Sequence, residues 1–226
     1  MKKIILNITT GSDWRSKIQE IRDLNIKEVA CFPTYLEKKD RLLLYQEILN
    51  SPLEKIPHVH IRHDMGDDEL NFFLGKYQTK FFNIHPYQDL FADYKSYLDI
   101  LYIENCPIIN EYFFDNLGKT AGLCFDFSHY HDQGFFQNSA DYKDFLKKIG
   151  KYKIGCCHIS GFNQKKMERE KSGIKVFSKH YLDDLEELDY LREYKNYLPD
   201  LITLELENSI DEQLEIKKYL EKILEI

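Results

Sequence analysis

Apolar residues along this chain fall into two alternating spacings. Short apolar or β-branched runs stand at KIILNIT (3–9), EVACFP (28–33), IPHVHI (56–61), KFFNIH (80–85), ILYIEN (100–105), GLCFDF (122–127), KIGCCHI (153–159) and LITLEL (201–206). Between them, apolar residues recur at helical spacing in WRSKIQEIRDLNI, DRLLLYQEILN, DDELNFFLGKY, DYKDFLKKIGKY and DDLEELDYLREYKNYL, and once more at the end in SIDEQLEIKKYLEKILEI. Ser139 and Ser209 stand where helix N-caps belong, because a serine hydroxyl can accept from a backbone N–H that the first helical turn leaves unpaired. Segments 86–99 and 107–120 are the weakest links and predict short or irregular helices. Strand then helix, repeated from end to end, predicts a parallel sheet with crossover helices. Eight repeats suit a single closed (β/α)8 barrel, parallel and eight-stranded, better than an open sheet. No Pro/Gly/Ser linker or low-complexity tract interrupts the pattern, so residues 1–226 are expected to form one barrel domain.

In such a barrel the reactive groups gather at the carboxyl ends of the strands, which makes the last residues of each run informative. The third run ends HVHIRHD with His63, the fourth FNIHP with His85 and the fifth LYIEN with Glu104. The sixth ends CFDFSH with Asp126 and His129, the seventh GCCHIS with His158, and the eighth ITLELEN with Glu205 and Glu207. Imidazoles and carboxylates brought together by barrel closure form a ligand set for Zn, Mn, Co or Fe, whereas Mg and Ca favour oxygen alone. Singly, some have plainer explanations. Asp126 could cap a helix, His85 could be a satisfied buried histidine, and Glu207 could begin the next loop. His58 and His60 are expected to alternate onto one strand face with no ligand role, and Cys156 and Cys157 to be packing. Glu104, His158 and Glu205 follow apolar runs and are harder to dismiss, since an unpaired buried charge costs several kcal/mol or more.

Charge and composition narrow the function classes. A net charge of -7 and a pI near 5.7 give no basic footprint for nucleic acid. The five cysteines lie in or beside apolar runs without CxxC spacing and read as buried thiols of a reducing compartment. MKKIILNITT reads as a first strand rather than a signal peptide. No apolar stretch approaches the ~18 residues of a membrane span. A cytoplasmic location is expected.

The succession of IEN at the fifth strand, DFSH at the sixth, CHISG at the seventh and LE at the eighth resembles the xylose-isomerase-like barrel superfamily, which includes sugar isomerases and epimerases and endonuclease-IV-type apurinic endonucleases. The resemblance spans essentially the whole chain. It implies a divalent metal, Zn, Mn or Co, held by Glu104, Asp126, His158 and Glu205, with His129 at the position of the histidine that follows the sixth-strand aspartate. In epimerase-type members the two metal-bound glutamates serve as acid and base, so Glu104, Glu205 and His129 are the implied catalytic residues. Endonuclease-type members add histidines at the third and fourth strands, matched by His63 and His85, and an Asp-x-His pair in the seventh loop. Here SKH supplies His180 but Ser178 in place of the aspartate. A second ion would draw on His63, His85, His129 and His180. The arginine that epimerase-type members often carry beyond the seventh strand has no clear match among Lys165, Lys166 and Arg169.

The expected activity is therefore a metal-dependent isomerase or epimerase acting on a small sugar, sugar phosphate or polyol by proton transfer next to a carbonyl. The alternatives are a phosphoesterase of apurinic-endonuclease type with two or three ions, and a barrel that binds without turnover. No membrane partner is expected, nucleic acid is disfavoured by charge and chain length, and self-association is left open. The charged stretch 161–180 after the seventh strand is expected to lie over the site as a mobile lid.

Overall fold

The computed structural model describes residues 2–169 and 173–226. Its main sheet is parallel and contains β1 (Lys3–Ile5), β2 (Asn7–Thr9), β3 (Ala30–Phe32), β4 (His58–His60), β5 (Phe81–Ile84), β6 (Leu101–Glu104), β7 (Gly122–Asp126) and β8 (Ile154–Ile159). Four two-residue strands follow, β9 (Gly161–Phe162), β10 (Glu168–Arg169), β11 (Lys175–Val176) and β12 (Ser178–Lys179), before β13 (Leu201–Leu204) completes the main sheet. The order is β1-β13-β8-β7-β6-β5-β4-β3-β2, so the sheet curls into a nearly closed barrel of nine strands rather than the eight expected. The extra strand comes from the first run. It breaks at Leu6, its first half pairing with β13 and its second with β3.

The intervening helices are α1 (Trp14–Asp23), α2 (Lys38–Leu49), α3 (Asp67–Tyr77), α4 (Leu90–Asp93), α5 (Phe113–Leu117), α6 (Phe127–His129), α7 (Phe145–Ile149) and α8 (Ile210–Leu224). The two segments that broke the sequence pattern hold only α4 with a 3₁₀ turn, and α5. Ser209 caps α8 in a reciprocal capping box with Glu212. Ser139 makes no such bond: it precedes a three-residue 3₁₀ turn, and α7 begins only after Asp144, at φ 57°. DDLEELDYLREYKNYL is helical, yet residues Leu185–Tyr197 wind as 3₁₀ turns.

Alternate strand residues face opposite ways, as the pleat requires. Val59, Phe82, Ile103, Phe125 and Ile202 join the large apolar cluster that includes the helix residues Ile18, Leu44 and Leu220. Residues of the other parity fill the barrel interior, where Ile5, Ala30, Phe32 and Leu201 form one small cluster and Tyr102, Cys124 and Cys156 another. The parity of β8 is set by a bulge. Leu123 pairs with Ile154 and Cys124 with Cys156, so Gly155 is left over. A Cβ at Gly155 would fall within the ring of Tyr102, so the absent side chain is what lets that ring into the interior. All five cysteines are free thiols, four of them buried. Among the described residues no helix is long and apolar enough to cross a membrane.

Candidate metal centre

The inward residue at each strand end carries the site. Glu104 ends β6, Asp126 ends β7, His158 lies in β8 opposite Asp126, and Glu205 directly follows β13. These four strands are neighbours in the sheet, and one donor atom from each of the four side chains lies within 4.8 Å of the others. His158 Nδ1 stands 3.1 Å from Glu205 Oε2, 3.4 Å from Glu104 Oε2 and 3.9 Å from Asp126 Oδ2. None of these approaches is aligned as a hydrogen bond. Both ring nitrogens of His158, Asp126 Oδ2 and Glu205 Oε2 are buried without a hydrogen-bond partner. Buried polar atoms are almost always paired, so the three orphaned atoms that face one point, His158 Nδ1, Asp126 Oδ2 and Glu205 Oε2, fit a cation. Three carboxylates and one imidazole are donors that Zn, Mn, Co or Fe accepts.

Electrostatics agree with that geometry. Burial disfavours charge on Glu104, but His158, His60 and His85 beside it outweigh burial and hold its carboxyl well below the usual range. Burial likewise disfavours a charged His158, and Glu104 and Glu205 overcome it, raising the imidazole well above its ordinary value. Glu205, opposed by burial but faced by His158 and His180, falls to about 2. Asp126 goes the other way. Burial raises its carboxyl; His129 opposes that, and Glu205 and Glu104 add to it.

Neighbouring residues fix the four side chains. Asn105 brackets the Asp126 backbone, accepting from its N–H at 2.9 Å and donating to its carbonyl at 2.8 Å. Asp126 Oδ1 accepts from Ser128 Oγ at 2.7 Å and from the His129 N–H at 2.8 Å. His129 Nδ1 bonds the Asn105 carbonyl at 3.0 Å, so Nε2 is the nitrogen left to the cleft that His129 lines. That cleft, of about 1380 Å³, opens over Glu104 and Glu205 and takes in His60, His85 and His180.

The histidines expected around a second ion divide differently. His85 and Glu104 group with His60, not with His63. His60 Nε2 is 2.9 Å from Glu104 Oε2 and His85 Nε2 3.5 Å from Glu104 Oε1. His63 lies past the end of β4, exposed in a turn at the rim of the cleft. The reason is parity: β4 ends at His60, which shares its inward face with His58. His129 stands beside Asp126, with Nδ1 3.5 Å from Oδ2, and His180 beside Glu205, its Nε2 4.0 Å from Oε2. The signal that could have found His60 was the two-residue spacing of HVH and of NIH.

Beyond α6 the polar residues His131 and Asp132 are structural. Asp132 is buried and accepts from the Phe177 and Ser178 N–H groups at 2.7 and 3.0 Å, anchoring the arm formed by the antiparallel pairs β9–β12 and β10–β11. The arm lies on the cleft face, as expected of 161–180, with Arg169, Lys179 and His180 among the lining residues. Residues 170–172 of that stretch fall outside the described residues. Glu207 sits apart from the four donors. It accepts from Gly11 N–H at 3.1 Å and from Ser12 Oγ, and pairs with buried Lys17 Nζ at 3.3 Å.

No family model and no curated protein matches the chain. Among solved structures it is similar to phospho-2-dehydro-3-deoxyheptonate aldolase from Thermotoga maritima, with a TM-score of 0.53 and 9% identity over 99% of this chain and 69% of that one. It is also similar to a D-tagatose 3-epimerase-like protein, at TM-score 0.49 and 14% identity over 98% and 97% of the two chains. A third is 3-keto-D-glucoside 4-epimerase from E. coli, at 0.46 and 13% over the whole of both. At these identities the likeness is one of fold: this chain is built as a nearly closed parallel barrel.

Proposed function

We propose that this chain is a divalent-metal-dependent isomerase or epimerase of a small carbohydrate, with the ion held by Glu104, Asp126, His158 and Glu205. The observation that carries the reading is the set of buried, partnerless donor atoms on Asp126, His158 and Glu205 around one point at the strand ends. On this reading residues 3–9 count as one interrupted strand, which makes the barrel eightfold. A bound ion would supply Lewis acidity toward a carbonyl and its neighbouring hydroxyl. The chain does the proton work. One glutamate removes the proton from the carbon next to the carbonyl and the other returns it, which gives isomer or epimer according to the carbon and face addressed. Both Glu104 and Glu205 reach the cleft, and the Nε2 of His129 is left to orient a substrate hydroxyl.

A second reading rests on the His60–His85–Glu104 group. Were it to hold an ion as well, Glu104 would bridge two ions, an arrangement suited to phosphoester hydrolysis. Metal analysis of protein purified without chelator separates the readings, alongside NMR detection of solvent deuterium entering a panel of ketoses and aldoses. One ion per chain with deuterium incorporation supports the isomerase. Two ions with cleavage of a phosphodiester and no incorporation would replace it, and protein that binds no ion overturns both.

A further inference from the structure

Below the strand-end donors, three fully buried polar side chains cross the barrel interior in file. Thr203 Oγ1 lies 2.7 Å from His58 Nδ1, His58 Nε2 lies 3.0 Å from Asn83 Oδ1, and Asn83 Nδ2 donates to Glu104 Oε2 at 2.6 Å. They come from β13, β4 and β5 and end on β6, so only barrel closure brings them together. The final bond fixes the direction of the others. A carboxylate can only accept, so Asn83 must present its amide NH₂ to Glu104 and its oxygen to His58. His58 must then carry hydrogen on Nε2, and with one ring hydrogen its Nδ1 accepts the hydroxyl hydrogen of Thr203. Every donor points toward Glu104, and hydrogen bonds aligned head to tail polarise one another in a buried setting.

We infer that Thr203, His58 and Asn83 form a one-way donor chain that positions Glu104 as the anchored, ionised ligand of the centre, leaving Glu205 as the glutamate free to take a proton from substrate. The assignment rests on the metal-centre reading above. It follows from an asymmetry between the two carboxylates. Glu104 Oε2 receives Asn83 and faces His60 at 2.9 Å, whereas Glu205 Oε2, the atom turned to the ion site, has no hydrogen-bond donor that fixes its carboxylate. Asn83, His58 and Thr203 are positioning residues, since none of them is among the four donors.

The test has two readouts. The first, ¹⁵N NMR of metal-free protein, expects His58 with hydrogen on Nε2 in the wild type and in Thr203→Ser, and a mixture of tautomers in Thr203→Val. The second, Mn²⁺ or Zn²⁺ affinity by competition with a chelator, expects a loss of roughly 10- to 100-fold in Asn83→Leu, the range usual for residues that hold metal ligands. Thr203→Val is expected to lose several-fold and Thr203→Ser to recover it. Melting curves screen each variant for folding, and if Asn83→Leu does not fold, the Val/Ser pair at Thr203 decides. Hydrogen on His58 Nδ1 in the wild type overturns the chain. So does unchanged metal affinity in both Asn83→Leu and Thr203→Val. A wild type that binds no ion but keeps the Nε2 tautomer would sink the metal reading while leaving the donor chain standing.

Discussion

Asp126 stands opposite His158 in the register of β7 and β8 because Gly155 is looped out of the pairing. Were Gly155 paired with Cys124 instead, Asp126 would stand opposite Cys157, whose side chain now belongs to the outer apolar cluster, and the imidazole would turn away from the other donors. Glycine is required there because the ring of Tyr102 fills the space of a side chain. Gly155→Ala is therefore expected to lower stability by about 1–3 kcal/mol, the usual range for an overpacked core, and to weaken metal binding. Urea unfolding and metal titration of this variant check both. Wild-type values in both would mean that the Tyr102 ring does not exclude a side chain at that position.

Metal and folding should be linked. Glu104, Asp126 and Glu205 crowd around one imidazole, so an ion binding the folded chain stabilises it by mass action, about 2.7 kcal/mol at a free concentration 100 times the dissociation constant. Mn²⁺ or Zn²⁺ should raise the melting temperature and EDTA should reverse the rise. In His158→Ala, which removes the central donor, most of the rise should vanish. A melting temperature indifferent to every divalent ion in the wild type would contradict the centre.

How much of this was legible in the sequence follows from the range of each interaction. The strand positions were readable because each run is local, and so were Glu104, Asp126, His158 and Glu205, because a charged or metal-capable group directly after an apolar run is conspicuous in one dimension. His63 rather than His60 closes the run in one dimension, where the parity that the strand imposes does not show. Neither the split at Leu6 nor the bulge at Gly155 leaves a hydrophobic signature, since both are decided by which neighbour a strand pairs with. The link from Thr203 to His58 joins residues 145 positions apart and exists only once the barrel closes. His131 and Asp132 are also metal-capable and stand close to Asp126 in the sequence, yet they serve the packing of the arm, a distinction composition cannot make.

His131 should give the fold a pH dependence. Its ring is buried among Phe135, Phe162 and Tyr190, with Nδ1 2.9 Å from the Tyr194 hydroxyl. Burial pushes its pKa down to about 4, with Asp132 opposing only in part. In the unfolded chain the ordinary value is near 6.5. The unfolded state thus binds the proton first as pH falls. Stability is full above about 6.5, drops through the interval, and levels off near 4, with a total loss of at most about 3 kcal/mol. Urea unfolding at pH 7.5 and 5, with EDTA present, should show the loss in the wild type and a shallower one in His131→Asn. Equal slopes in the two proteins would assign the acid sensitivity elsewhere.

Glu205 and Glu207 are two residues apart and face different partners, so substitution can tell their roles apart. Glu205 Oε2 has no hydrogen-bond partner and stands 3.1 Å from His158 Nδ1. Glu207 holds Lys17, whose ammonium is buried and otherwise bonded to Thr9 Oγ1 and the Leu206 carbonyl. In Glu205→Gln, size and one oxygen donor survive while charge and basicity are lost. Metal affinity should fall modestly, and turnover of any substrate found should fall by about 10² to 10⁴, the effect of a lost general base. Melting of the metal-free protein should fall as well, since His158 and His180 lose the charge that faces them. In Glu207→Gln only stability is affected. The buried lysine loses its counter-charge, so stability should drop by about 1–3 kcal/mol, while metal affinity stays near wild type. Measuring both quantities on both variants decides the register of the eighth run. A loss of metal binding in Glu207→Gln with none in Glu205→Gln would put the fourth donor two residues further along the chain than the geometry places it.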